Sequence, residues 1–316
     1  MRELLTASSR RVFAACPRRY RFEYVLGYRP RAVARARGFG AAIHAALEAW
    51  WTSGSTSVDD RFGDALDALP HGMEPYDEAR ARAMIAGYAS RWADDAEQYE
   101  ALAVEAEFRL PLLHPETLAR HPRFDLGGKV DGIVRERESG RVLVIEHKTS
   151  ASDDVGSGSD YRSRLAIDGQ VSQYLDGAEA LRLDAVGVLY DVLVKPGLKP
   201  LGITQKRKAP ETPEEFEVRL AAAIAEDPER FLVRSEVSRA ERERADFGFD
   251  VWTVATWIAR AEEHDEWPRN PDACFRYGSR CPFWPVCSGA GSLDDDTVYR
   301  RVTGAHEELS AASNAA

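Results

Sequence analysis

Lysine is nearly missing from this 316-residue chain: of 42 basic residues only six are lysine, at 129, 148, 195, 199, 206 and 208. Arginine cannot replace lysine where a compact ammonium is needed, so each lysine in such a chain is a candidate for a chemical role. Cysteine is almost as sparse, four in all, which excludes a disulfide-stapled scaffold. No apolar run approaches the roughly 18 residues that span a membrane. The Arg-rich stretch Met1 to Tyr20 has no apolar segment of the signal-peptide kind. No GxxxxGK[ST] phosphate loop is present, which excludes ATP-driven unwinding through such a loop. A soluble, cytoplasmic protein without a membrane partner is expected.

What is present supports a folded chain, 44% hydrophobic and about twice the usual single-domain length. The net charge of −10 is uneven: residues 1–40 hold ten Arg and two acids, for +8, and the remainder carries −18. A second basic island, Lys195 to Lys208, has five cations and no acid. Local patches rather than net charge decide phosphate binding, so solvated loops and nucleic-acid contacts are both open readings. Tyr20, Phe22 and Tyr24 in the basic N-terminal segment could stack on unpaired bases or belong to the core.

Residues 38–51 have the apolar spacing of an amphipathic helix, and 59–100 read as a helical insertion. Val104 to Leu110 alternate in strand fashion. A hairpin follows: Lys129 to Arg135, a turn at 138–141, then Val142 to Thr149. Residues 150–163 read as a loop, Asp168 to Leu181 as a helix, Ala185 to Val194 as an apolar strand, and 213–224 and 239–263 as helices. The order helix, strand, strand, strand, helix, strand predicts an α/β core with a mixed sheet.

The hairpin carries the chemistry. Glu146 and Lys148 are two apart and share one face of their strand, while His147 points away. Asp131 on the antiparallel arm comes beside Glu146. Two hard carboxylates suit Mg2+ or Mn2+, and a nearby ammonium can position an attacking water or offset charge on a phosphate. The plainer reading is a strand end that is charged because it leaves the core. Glu105 and Glu107 on the preceding strand share one face, as a further acid pair or a solvated surface.

These residues resemble the PD-(D/E)XK nucleases, specifically their RecB-like branch. In that branch the hairpin reads Gly-x-x-Asp and Glu-x-Lys, here Gly128-Lys-Val-Asp131 and Glu146-His-Lys148, without the Pro of the family name. An upstream helix with His before Leu-Glu is similar to His44-Ala-Ala-Leu47-Glu48, and a downstream Gln-x-x-x-Tyr to Gln170 and Tyr174. The resemblance implies a restriction-endonuclease-like core. It implies a metal held by His44, Asp131 and Glu146 with the His147 carbonyl, a catalytic Lys148, and Gln170 and Tyr174 shaping the site. It also implies a single nuclease domain over 1–291; the helical insertion at 52–100 and the polar, Ala-rich stretch from Ser292, read as a flexible tail over 292–316, lie outside the resemblance.

The cysteines are Cys16 and a distant triplet, Cys274-x6-Cys281-x5-Cys287. Four thiols suit a closed zinc site or an iron–sulfur cluster, and equally suit buried apolar packing. RecB-like iron–sulfur nucleases place one Cys early and three late, as here. That resemblance implies a 4Fe-4S cluster joining regions 1–30 and 264–291. The gap of six before Cys281 departs from the CRISPR-associated adaptation nucleases, in which it is typically two. The expected function is a metal-dependent DNA exonuclease acting on single-stranded ends in recombination, repair or phage DNA processing, in a prokaryotic or phage-infected cell. A helicase, recombinase or CRISPR partner would accompany it. The alternatives are a CRISPR adaptation nuclease trimming spacer precursors and a noncatalytic iron–sulfur DNA-binding module.

Overall fold

A computed structural model describes residues 2–32, 35–205, 207–276, 279–306 and 309. The chain divides into two compact units, a central one of Ala34–Ala106 and Val130–Arg239, and a terminal one of Met1–Val33, Glu107–Lys129 and Ala240–Ala316. The strands are β1 (Glu3–Leu5), β2 (Tyr99–Leu113), β3 (Arg120–Glu136), β4 (Val142–Ser150), β5 (Ala185–Val194) and β6 (Leu232–Val237). The main helices are α1 (Ala7–Ala15), α2 (Arg35–Thr52), α3 (Val58–Asp67), α4 (Pro75–Arg91), α5 (Gly169–Ala180), α6 (Pro213–Glu226) and α7 (Glu241–Glu263).

The central unit is α/β with a mixed sheet. β2 pairs with β3, β3 and β4 are antiparallel, β4 and β5 parallel, and β5 and β6 antiparallel. The parallel pair needs a crossover, supplied by α5. Helix α2 buries Phe39, Ala42, Ile43, Ala46, Leu47 and Trp50, the i, i+3, i+4 spacing of one helical face. Each large side chain in that stripe contributes about 1.5–3 kcal/mol by leaving water. The stripe packs with Met84, Ile85 and Tyr88 of α4, Phe216 and Leu220 of α6, and Ile145 and Val192 of the sheet. A Cβ at Gly40 would lie 3.2 Å from Thr149 Oγ1, so glycine lets α2 approach the end of β4 closely. That approach carries His44 to the hairpin.

The terminal unit holds β1 parallel to the start of β3, with Leu5 opposite Leu126. Thr6 caps α1 by accepting from the Ser9 N–H at 3.1 Å. Phe247, Val251, Ala255 and Ile258 of α7 join Phe13, Tyr20, Phe124 and Trp267 in one apolar cluster. A Cβ at Gly128 would meet the Phe108 ring at 2.9 Å, which is why the Gly-x-x-Asp segment opens on glycine.

The structure decides one open reading and corrects two expectations. Tyr20 and Phe22 are core residues, with Tyr20 stacked on Tyr24 at 5.1 Å and Phe22 against Phe283 at 5.3 Å. They cannot stack on bases. Residues 292–306 begin no tail, because Tyr299–Arg301 pairs with Tyr28–Pro30 and Tyr299 stacks on Phe283 at 5.3 Å. Residues 307–308 and 310–316 of that stretch, and Lys206 of the basic island, lie outside the described residues. Lastly, Glu105 has φ of +51°, which interrupts the alternation that would put Glu105 and Glu107 on one face.

Candidate functional site

Six side chains singled out from the sequence meet in the central unit. Gly132 opposes Ile145 across the β3–β4 pair, which sets Asp131 beside the charged end of β4. The Asp131 carboxylate accepts a hydrogen bond from the His147 main-chain N–H at 2.8 Å through Oδ2. The same oxygen faces His44 Nδ1 at 3.6 Å. Glu146 Oε1 accepts from the Lys148 ammonium and from Gln170 Nε2 at 3.1 Å. Gln170 is set in the first turn of α5 by the Asp168 cap, and its Nε2 donates to the Tyr174 hydroxyl at 2.7 Å. Glu48, in contrast, is exposed on α2.

Burial makes this an electrostatic site. Glu146 is 1% exposed, and its Oε2 is buried with no hydrogen-bond partner among the described residues. Burial pushes Glu146 up to about 7, with Lys148 pulling the other way and Asp131 adding to the rise. Burial also opposes ionisation of Asp131, but the facing His44 and the neighbouring His147 and Lys148 outweigh it and hold that carboxyl at about 2. The two carboxyls are thereby driven apart, the pattern found where acids share one small space. Burial lowers Lys148 and His44, yet the carboxylates overcome it and raise both.

An orphaned carboxylate oxygen, a second carboxylate and an imidazole form a donor set that suits a hard divalent cation. As the side chains stand, Glu146 turns to Lys148 and Gln170. No group of three or more His, Cys, Asp or Glu among the described residues is drawn close enough to hold an ion.

The sequence reading missed a buried network on the opposite face of the sheet. His147 of β4, Asp191 of β5 and Arg234 of β6 lie in one row across the three strands. Asp191 Oδ2 accepts from the Tyr88 hydroxyl at 2.7 Å and from Arg234 Nη2 at 3.0 Å, and it faces His147 Nδ1 at 3.4 Å. Arg234 also bridges to Asp95, with Nη1 on Oδ1 at 2.5 Å. The signal was available, since Asp191 is the single charge in the run Ala-Val-Gly-Val-Leu-Tyr-Asp-Val-Leu-Val.

In the terminal unit, Cys16, Cys274, Cys281 and Cys287 line one cavity of about 630 Å3, together with Arg18, Arg19 and Arg269. All four thiols are free. Burial raises the Cys281 and Cys287 thiols. The Cys281 N–H donates to the Cys274 carbonyl at 2.8 Å, tying the first two cysteines of the triplet together. Four sulfurs around one cavity form a donor set that suits zinc or an iron–sulfur cluster. Many of the N-terminal arginines are engaged within this unit. Arg18 donates to the Trp267 carbonyl at 2.8 Å, Arg19 pairs with Glu23 at 2.9 Å, and Arg21 with Asp265 at 2.9 Å.

The chain belongs to the PD-(D/E)XK nuclease superfamily, whose family model it matches over residues 4–288. No curated protein matches it. Among solved structures it is similar to SSO0001, at 13% identity with a TM-score of 0.34, over 80% of this chain and 76% of that one. It is also similar to a Eubacterium rectale protein named "putative exonuclease", at 12% identity and a TM-score of 0.49, over 93% of this chain and 90% of that one. Among the described residues no helix is long and apolar enough to cross a membrane.

Proposed function

We propose that this chain is a Mg2+- or Mn2+-dependent deoxyribonuclease of the RecB-like iron–sulfur branch, acting as an exonuclease on single-stranded DNA ends. The observation that carries the reading is the pairing of His44 with Asp131 and of Lys148 with a buried Glu146 whose second carboxylate oxygen has no partner among the described residues. His44, Asp131, Glu146 and the His147 carbonyl would hold the metal. That ion, when bound, supplies a nucleophilic water at neutral pH and offsets phosphate charge. Lys148, held by Glu146 and about a third exposed, presents its ammonium where charge develops on the phosphate oxygens. Gln170, buttressed by Tyr174, holds the Glu146 carboxylate in place. The His147 N–H does the same for Asp131.

Cys16, Cys274, Cys281 and Cys287 would hold a 4Fe-4S cluster, which would join the first and last segments of one nuclease domain spanning 1–291. Their sharing of one cavity supports this. Single-stranded ends are the substrate on which iron–sulfur nucleases of this branch mostly act. DNA recombination, repair or phage DNA processing in a prokaryotic cytoplasm is the proposed setting, with a helicase, recombinase or CRISPR partner.

Incubating end-labelled linear and closed circular single-stranded DNA with the protein and Mn2+ tests the mode of action. Loss of the linear strand alone is expected. Cutting of the circle would instead establish an endonuclease. Binding without any cutting would favour a noncatalytic DNA-binding module.

A further inference from the structure

We propose that Asp191 is a positioning residue for the candidate site, an inference that rests on the nuclease reading and deepens it. Asp191 acts through His147. In a strand, successive side chains alternate between faces. His147 therefore projects away from Glu146 and Lys148, while its main-chain N–H holds Asp131 at 2.8 Å. Whatever fixes the His147 ring also fixes the peptide that seats Asp131.

The ring sits in a row of buried groups. His147 is 3% exposed and Asp191 is 0% exposed. Nδ1 of His147 lies 3.4 Å from Asp191 Oδ2, close enough for electrostatic attraction but without the geometry of a hydrogen bond. Asp191 is itself held from two sides, by Tyr88 of α4 at 2.7 Å and by Arg234 of β6 at 3.0 Å. Asp191 Oδ1 is buried with no hydrogen-bond partner among the described residues. Arg234 and Arg61 balance Asp95 and Asp191, and Arg61 stacks over Trp50 at 4.2 Å.

The network runs from α4 through β6 and β5 to the middle residue of Glu146-His147-Lys148, whose ring meets the His44 ring edge-on at 6.3 Å. Partners that orient a ligand from behind typically alter metal affinity or activity about 10- to 100-fold when removed.

The test is calorimetric titration of the full chain with Mn2+, comparing wild type, Asp191→Asn, His147→Phe and the double variant. Asp191→Asn is expected to weaken Mn2+ binding about 10- to 100-fold. It should lower kcat while leaving KM for DNA nearly unchanged. The double variant should bind no more weakly than His147→Phe alone, because both changes remove one pathway. Affinity of a folded Asp191→Asn within about twofold of wild type, or fully additive losses, would overturn the inference. Should Asp191→Asn not fold, Tyr88→Phe replaces it. That variant keeps the ring and removes only the hydroxyl that donates to Asp191, and it should weaken binding in the same direction by less. Unchanged affinity in Tyr88→Phe would then overturn the inference. A wild type that binds Mn2+ yet cuts no DNA removes the nuclease reading and leaves this comparison decisive. A wild type that binds no Mn2+ overturns both.

Discussion

Replacing Arg234 with methionine should destabilise the central unit by about 3–5 kcal/mol, the range for breaking a buried ion pair by deleting one partner. The guanidinium donates to Asp95 at 2.5 and 3.1 Å, to Asp191 at 3.0 Å and to the Tyr88 hydroxyl at 2.8 Å. It also lies 4.0 Å over the Trp92 ring. Charge-assisted hydrogen bonds contribute about 1.5–3 kcal/mol each, so four would suggest about 6–12. Desolvating a guanidinium that is 5% exposed offsets much of that gain. Most of the cost in the variant is then the pair of carboxylates, Asp95 and Asp191, left buried with less compensation. It follows that Asp95→Asn and Asp191→Asn, added to Arg234→Met, should restore at least about half of the lost stability. Amide hydrogen exchange at pH 7 on peptides covering β5 and β6 reads the local opening free energy. A loss below about 1 kcal/mol in Arg234→Met, or a triple variant no more stable than the single, would refute this account of the network.

Gln170→Ala removes the donor that holds Glu146 and should lower kcat about 10- to 100-fold with the fold intact, read by steady-state cleavage and circular dichroism. Cys281→Ala should abolish the iron content and visible absorption of the purified protein and lower the unfolding temperature; a colourless, stable, zinc-loaded wild type would sink the cluster assignment. Asp125 gives a pH prediction: burial works against its charge, but Arg120 and Arg109 hold it below the usual carboxylate range. A depressed folded pKa stabilises above the unfolded value of about 3.9 and is lost as pH falls through the folded one. The terminal unit should therefore weaken as pH falls below about 4, and Asp125→Asn should flatten that acid-side slope, as followed by thermal unfolding at falling pH.

The elements with strong local signals were legible in the sequence. The run Ala185–Val194 is a strand at its read boundaries, and α2, α5, α6 and α7 begin and end within a few residues of their apolar periodicity or caps. The hairpin was legible because its second arm is apolar until Glu146 and turns at 138–141. Strands β1 and β6 were not read, for different reasons. β1 has three residues and pairs with a segment more than a hundred positions away. β6, Leu-Val-Arg-Ser-Glu-Val, is a polar-looking sequence whose one cation is buried, and only partners distant in sequence, Asp95, Asp191 and Tyr88, explain that burial. Local propensity does not encode such long-range partners. The aromatics at 20 and 22 were ambiguous because a basic segment with tyrosines suits both a core and a stacking surface. The terminal unit resolved this by burying both rings beside Trp267 and Phe283.

The central claim is that Asp131, Glu146 and Lys148 form the working part of a metal-dependent DNA nuclease. Its most direct test is the rate of nucleotide release from single-stranded DNA in Mn2+, comparing wild type with Lys148→Ala at equal DNA binding. The account predicts a fall of at least about 100-fold, as for loss of one group that stabilises transition-state charge. A Lys148→Ala protein that binds DNA and cuts it at the wild-type rate would contradict it.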